Sequence, residues 1–484
     1  IGDLMPLILP GNVASATAST TYDVDNSCRF FSNTSLHKDN GGSATNRDKY
    51  TVSFWYKKCS LVGSQDGHKV IMVSGSGTQG DGSDDYMQAY FKNDDTFRWQ
   101  EYDSGVYSDE LVTTQKFRDP TAWYHFVLRY DSTESTANDR MRIYVNGTQV
   151  TSFGTRYNPD QNQDGWFGDD NGGIAIGGVT NQFCNGYLAE VVGVDGQSLA
   201  PTEFGKFDED SPTIWKPKDV SGITLGNNGF YLDFKDSANL GNDANGGTDF
   251  TEVNLDATDQ ATDTPSNNFA TLNPLINVNS TANYPTIYSE GNCRHVTSGD
   301  WVTTVTTLGA AAGKWYAEIE YDNAVYAGLI GVIGEDAVNT GVDILSNNLG
   351  EQTSCVGYKN TSGAVRISGS AATAGSSYTT GDIIQVALDL DNGNVYFGKN
   401  DTWQNSGDPE SGATGTGAYA IGGPAGQFWF FSCGPYASGA SMECNFGGCS
   451  AFTVSSGNAD ANGYGAFEYA VPSGYLALCT KNLG

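Results

Sequence analysis

The chain has 484 residues and a net charge of −31, from 56 acidic against 25 basic side chains, with 61 glycines among frequent aromatics. A surface this acidic repels a phosphate backbone, so nucleic acid is excluded as a partner. No apolar run approaches the roughly 18–20 residues that cross a bilayer, so membrane insertion is not expected.

The length allows two or three domains with their own cores. The N-terminal 1–12 (IGDLMPLILPGN) lacks a basic stretch and is too short in its apolar part for a signal peptide, so 5–10 reads as a small apolar plug. From there to about 210, short runs rich in Val, Ile, Tyr, Phe and Thr recur between Gly, Asn and Asp clusters. They are 50–57 (YTVSFWYK), 123–130 (WYHFVLRY), 141–145 (MRIYV, followed by Asn146-Gly147), 174–178 and 187–194. Such runs predict strands. Between 211 and 285 the character changes: 236–293 holds no Lys or Arg, and strand-like runs are few. This reads as an acidic Asn/Asp/Thr-rich connector, with Phe230, Tyr231, Phe234, Phe250 and Phe269 as apolar anchors. Short alternating strands resume over 286–484. The clearest is 381–400 (GDIIQVALDLDNGNVYFGKN), where two alternating runs flank an Asp-Asn-Gly turn. The fold class is therefore all-β: two β-sandwich domains, 1–210 and 286–484, which the resemblance below implies to be of jelly-roll type, joined by an acidic, loop-rich linker, 211–285.

Nine cysteines, at 28, 59, 184, 293, 355, 433, 444, 449 and 479, form no CxxC pair. The odd count and irregular spacing predict buried thiols rather than a disulfide framework, with Cys433, Cys444 and Cys449 placed to cross-link in an oxidant.

Residues 117–150, with their Trp-Tyr-His strand and Arg-Ile-Tyr-Val-Asn-Gly hairpin, resemble laminin-G-like, concanavalin-type jelly rolls, as do 22–32 (YDVDNSCRFFS) and 183–196 (FCNGYLAEVVGVDG). Residues 313–321 (GKWYAEIEY) and 381–400 resemble SPRY domains. The connector runs GFYLDF (229–234), NLGND (239–243), DTPSNN (263–268) and FATLNP (269–274), and the terminal 472–483 (PSGYLALCTKNL), resemble bacteriophage tail-fibre-like proteins. What the resemblance implies is a virion protein, assembled in the host cytoplasm, that displays two lectin-like sandwiches. It implies a receptor-binding fibre or adhesin whose partners are host-surface polysaccharide or a receptor and other virion proteins. A homo-oligomer follows, with a trimer favoured, although no heptad tract supplies a coiled coil. A capsid decoration or head-fibre role is the alternative, and a glycan-degrading enzyme a third.

An enzyme of this kind needs two carboxylates about 5–9 Å apart. The nearest pattern is Glu318, Glu320 and Asp322, already accounted for as the outer face of a strand, so no catalysis is expected. His125 falls inside a strand, where a packed or hydrogen-bonded histidine is expected. Ligand recognition on sandwiches usually falls to end loops, where aromatic faces stack on sugars. That reasoning selects Trp166, Phe167 and Asn171, then Trp403, Gln404 and Asn405, and Tyr436. No cofactor is required. Calcium, which takes oxygen ligands on Gly-bent loops, is the metal such acidic loops suit, at Asp169 and Asp170, with 81–85 and Asp23/Asp25 as further acidic loops.

Overall fold

A computed structural model describes residues 22–59, 68–75, 85–103, 106–170, 172–179, 182–276, 286–299, 301–339, 349–372 and 375–484. The apolar plug at 5–10, the acidic 81–84 and Asn171 lie outside these residues. The chain divides into two compact units, Thr17–Asn267 and Asn268–Gly484. Both are built from antiparallel sheets.

In the first unit one sheet runs, in spatial order, Thr148–Gln149, Met141–Val145, Trp123–Asp131, Lys49–Lys58, Gly186–Asp195, Ser27–Phe30 and Gln260–Ala261. The other runs Phe153–Tyr157, Val106–Lys116, Thr96–Asp103, Tyr86–Phe91, Lys69–Gly75, Gly173–Ile176, Ser35–Asp39 and Thr251–Val253. Strand alternation builds the core: Tyr50, Val52, Phe54 and Tyr56 point inward beside Phe126, Leu128 and Tyr130. Burying each such side chain contributes about 1.5–3 kcal/mol before packing terms. The hairpin after Met141–Val145 turns through Asn146 (φ 47°) and Gly147 (φ 75°), the left-handed pair of a type I′ turn. A Cβ on Gly147 would lie 2.4 Å from the Trp215 ring, so this turn also needs glycine for space. The same Trp215 donates its indole N–H to His125 Nδ1 at 2.9 Å, and Ser53 Oγ meets the other ring nitrogen at 2.8 Å. His125 is therefore the hydrogen-bonded core histidine that its strand position predicts, and burial pushes its pKa down to about 3.

Residues 211–267 are part of this sandwich, and the boundary between units falls at Asn267/Asn268 rather than at 210 and 286. Phe230–Leu232 pairs with Gly186–Asp195, Thr251–Val253 with Ser35–Asp39, and Gln260–Ala261 with Ser27–Phe30. The physical reason is charge as much as the aromatic anchors. The segment's acids meet cations supplied by the sandwich: Asp263 reaches Lys57 at 2.5 Å and Asp259 reaches Arg29 at 3.1 Å. Phe230, Phe234 and Phe250 complete the core, whereas Phe269 belongs to the second unit.

The second unit stacks a nine-stranded sheet, with Ser441–Asn445, Lys314–Asn323, Ile383–Asp389 and Asn394–Lys399 at its centre, and a six-stranded one built on Trp429–Pro435, Gly328–Gly334 and Cys355–Lys359. The predicted 381–400 hairpin is present, pairing Ile384 with Lys399 through Asp389 with Asn394. Ile384, Val386 and Leu388 face the core with Val395 and Phe397. The buried isoleucine is thus Ile384, in phase with the others, while Ile383 is only half-buried. The terminal run carries the short strand Leu476–Ala477, which lies parallel to Lys314–Asn323, and ends in a single helical turn, Thr480–Leu483.

Candidate functional site

The second sheet of the first unit has an outer face unlike an ordinary solvated one. Along Thr96–Asp103 the core-facing Phe97, Trp99 and Glu101 alternate with Arg98, Gln100 and Tyr102. Along Tyr86–Phe91, Met87, Ala89 and Phe91 face the core and alternate with Tyr86, Gln88 and Tyr90. Register brings the outward residues together: Tyr86 opposite Tyr102, Gln88 opposite Gln100, Tyr90 opposite Arg98. The middle row continues from Gln100 to Glu110 and then to Tyr157 at the sheet edge.

These side chains hold one another in place. Gln100 Nε2 donates to Gln88 Oε1 at 3.1 Å, Arg98 Nη1 donates to the Tyr90 hydroxyl at 2.8 Å, and Arg98 pairs with Glu110 at 2.5 Å. Tyr86 and Tyr102 stack with centroids 5.0 Å apart, and His68 lies against Tyr90 at 4.6 Å. Burial first, then the Arg98 charge, lowers the His68 pKa, which keeps its ring neutral near pH 7. The two amides are buried, with half-buried Tyr86 and Tyr102 on one side and Tyr90, buried against Val70, Val73, Ala175 and Val179, on the other; Tyr157 stands 60% exposed at the margin. Fixed amides between aromatic rings are the chemistry that recognises a polyhydroxylated ring: hydroxyls bond to the amides and the sugar's C–H face rests on an aromatic.

The loops singled out from sequence fare differently. Phe167 is a core residue stacked on Tyr50 at 5.2 Å, because the loop turns it inward, so it offers no face to a ligand. Trp166 is half-buried under the Arg47 guanidinium, 4.6 Å from its ring, and its backbone N–H donates to Glu101 at 3.0 Å. Asp169 is buried and pairs with Arg47 at 2.7 Å, so its carboxylate already serves a guanidinium; Asp170 is exposed. Among the described residues no three His, Cys, Asp or Glu side chains gather to hold a metal ion. In the second unit Trp403 packs half-buried against the Tyr316–Tyr396 cluster. Gln404 is buried, its carbonyl accepting from Ser376 N at 2.8 Å, so it is a structural tie rather than a free amide. Asn405 is exposed, and its amide donates to Gly417 O at 3.2 Å.

Tyr436 has company that the sequence does not reveal. Its ring lies 4.9 Å from Trp301 and 5.5 Å from Tyr326, which is 67% exposed, with half-exposed Val325 beside it in sequence. This aromatic shelf is a second surface suited to a sugar face. The Glu318–Glu320–Asp322 face does alternate as expected, but Glu318 is sealed. It accepts N–H groups from Glu468 and Tyr469, each at 2.8 Å, and the Tyr316 hydroxyl at 2.9 Å. Burial raises its pKa to about 7 in spite of these donors. Asp322 and Glu443 share Arg294 at 2.7 and 3.0 Å.

Residues 32–197 match the family model described as the concanavalin A-like lectin/glucanases superfamily, Laminin_G_3, which bears out the concanavalin-type reading of the first unit. No curated protein sequence matches the chain. Among solved structures, the SPRY domain of human HERC1 is 17% identical, covering 35% of this chain and 94% of its own, with a TM-score of 0.27. A heptameric SAP-like pentraxin from Limulus polyphemus is 15% identical, over 37% of this chain and 80% of that one, with a TM-score of 0.26.

Proposed function

We propose that the chain is a non-catalytic glycan-binding protein, and that its first unit seats a saccharide across the outer face lined by Tyr86, Gln88, Arg98, Gln100, Tyr102, Glu110 and Tyr157. The observation that carries this reading is the registered amide pair Gln88–Gln100 set between stacked tyrosines and an Arg98–Glu110 pair. The Laminin_G_3 match supports it, since that superfamily is described by lectins as well as glucanases. Binding at this face needs no metal. In the finer reading, drawn from the resemblance of the connector and terminal runs, the protein is a phage fibre or adhesin, oligomeric and favoured as a trimer, that docks host-surface polysaccharide. Several weak sites then gain from avidity.

The test is a glycan array followed by calorimetry on the hit with wild type, Gln88→Ala and Tyr157→Ala. Loss of at least tenfold in affinity for Gln88→Ala, with unchanged melting, is the expected result. Binding that survives both substitutions but is lost in Tyr326→Ala would move the site to the aromatic shelf of the second unit. No glycan bound by any form would sink the reading. Gold labelling of particles separates the two virion roles: label at fibre tips supports attachment, and label over the head supports decoration.

A further inference from the structure

All nine cysteines are buried thiols, and two of them meet across the second unit's sandwich. Cys433 lies on Trp429–Pro435 in the six-stranded sheet and Cys444 on Ser441–Asn445 in the nine-stranded one, with their sulfurs 3.9 Å apart. Both are fully buried, so the pair bridges the two layers from inside the core. Beside them is His295, also fully buried, whose ring nitrogens make no hydrogen bond of ordinary geometry. Its strand pairs His295 with Met442, two residues from Cys444, and its ring stacks on Tyr288 at 5.6 Å. A buried imidazole with both nitrogens unspent is a costly arrangement unless it serves a neighbour. One neighbour here is the Cys433 thiol. The neighbouring Cys444 thiol pulls the Cys433 thiol down, while burial and Cys433 push Cys444 up.

We infer that Cys433 and Cys444 are a redox pair that closes to an inter-sheet disulfide when the protein meets a low-molecular-weight disulfide. The Cys433 thiolate attacks one sulfur of the small disulfide; its S–S bond breaks and one small thiolate leaves, taking up the proton that Cys433 gave. Cys444 then gives up its proton as its sulfur attacks that of Cys433, expelling the second small thiolate, which takes that proton. Two protein thiols are oxidised and one small disulfide is reduced to two thiols, with no other reactant. A sulfur separation of 3.9 Å must close to the bonded distance of about 2.05 Å, which a rotation of the two side chains covers if the strands stay in place. Because the site is dry, the first step waits on local opening, so the reaction is slow.

The experiment incubates the folded full-length chain with oxidised glutathione, then counts free thiols after denaturation and maps peptides without reduction. The expected result is a fall from nine thiols to seven, with one cross-linked peptide joining Cys433 to Cys444. The oxidised form melts several degrees above the reduced one, and that difference vanishes in Cys433→Ala and Cys444→Ala. In Cys444→Ala the reaction stops with glutathione held on Cys433. Nine thiols persisting, while the urea-unfolded chain oxidises freely, would overturn the inference. So would a link from either residue to Cys449 or Cys293.

Discussion

Buried carboxylates serve two different ends, which two acids of the first unit and two of the second set side by side. In the first, acids meet cations: Lys57 with Asp263 at 2.5 Å and Lys58 with Asp95 at 2.6 Å, all four side chains almost wholly out of water. In the second, Glu318 and Asp460 gather backbone N–H groups, although Asp389 there pairs with Lys314 at 3.0 Å. Glu318 takes those of Glu468 and Tyr469, and Asp460 takes those of Asn462, Tyr464 and Ala477. An ion pair fixes a distant segment through charge, whereas a carboxylate that collects amides fixes the path of a loop that lacks strand partners. The first arrangement fails when charge balance is lost, and the second when acceptors are lost.

Substitutions that separate charge from acceptor sharpen this contrast. Asp263→Ala removes the counter-ion of Lys57 and the acceptor of Trp123 Nε1, so urea unfolding should show a loss of about 3–5 kcal/mol. Asp263→Asn keeps an acceptor but leaves the ammonium unbalanced, and is expected to lose nearly as much; a mild loss there would mean that charge is not what matters. Glu318→Ala strips two backbone donors and should cost about 1–3 kcal/mol per group, with Glu318→Gln recovering roughly half. If Gln is as damaging as Ala, the amide-gathering account of Glu318 is wrong.

The smallest effect concerns Glu101, which accepts from Tyr50 and from Trp166 N inside the first core; burial raises its pKa to about 8. An unfolded glutamate titrates near about 4.3. Between those values the folded state holds a proton that the unfolded state has released. Stability is therefore fully present below about pH 4.3 and is lost as pH rises toward 8. From pH 6 to 7 the loss is at most about 1.4 kcal/mol. Glu101→Gln should flatten the stability–pH curve over that interval, measured by urea melts at each pH; an unchanged slope would remove Glu101 as its source.

Much of the fold is legible where the signal is local. The 141–149 and 381–400 hairpins are written in alternation and in the Asn-Gly and Asp-Asn-Gly turns, because register follows from neighbours in sequence. The role of 211–267 is not, since Phe230–Leu232, Thr251–Val253 and Gln260–Ala261 are too short to show a period, and Asp263 finds Lys57 206 residues away. The candidate site was written plainly in Tyr-x-Gln-x-Tyr at 86–90 and Arg-x-Gln-x-Tyr at 98–102. Attention to loops passes over it, because a polar strand face reads as ordinary solvent exposure. The partners of Tyr436 are invisible for another reason: Trp301 and Tyr326 lie more than a hundred residues upstream.

The strands from 251–261 have one more consequence. Thr251–Val253 is the last strand of one sheet and Gln260–Ala261 the last strand of the other. A single short stretch thus closes an open rim on both layers, where unpaired N–H and C=O groups would recruit a second copy's strand. A fragment ending at residue 197, where the family match stops, would carry both rims bare and be prone to stick to itself. The connector is in this sense the chain's own guard against self-association, a need that grows wherever many copies are held side by side.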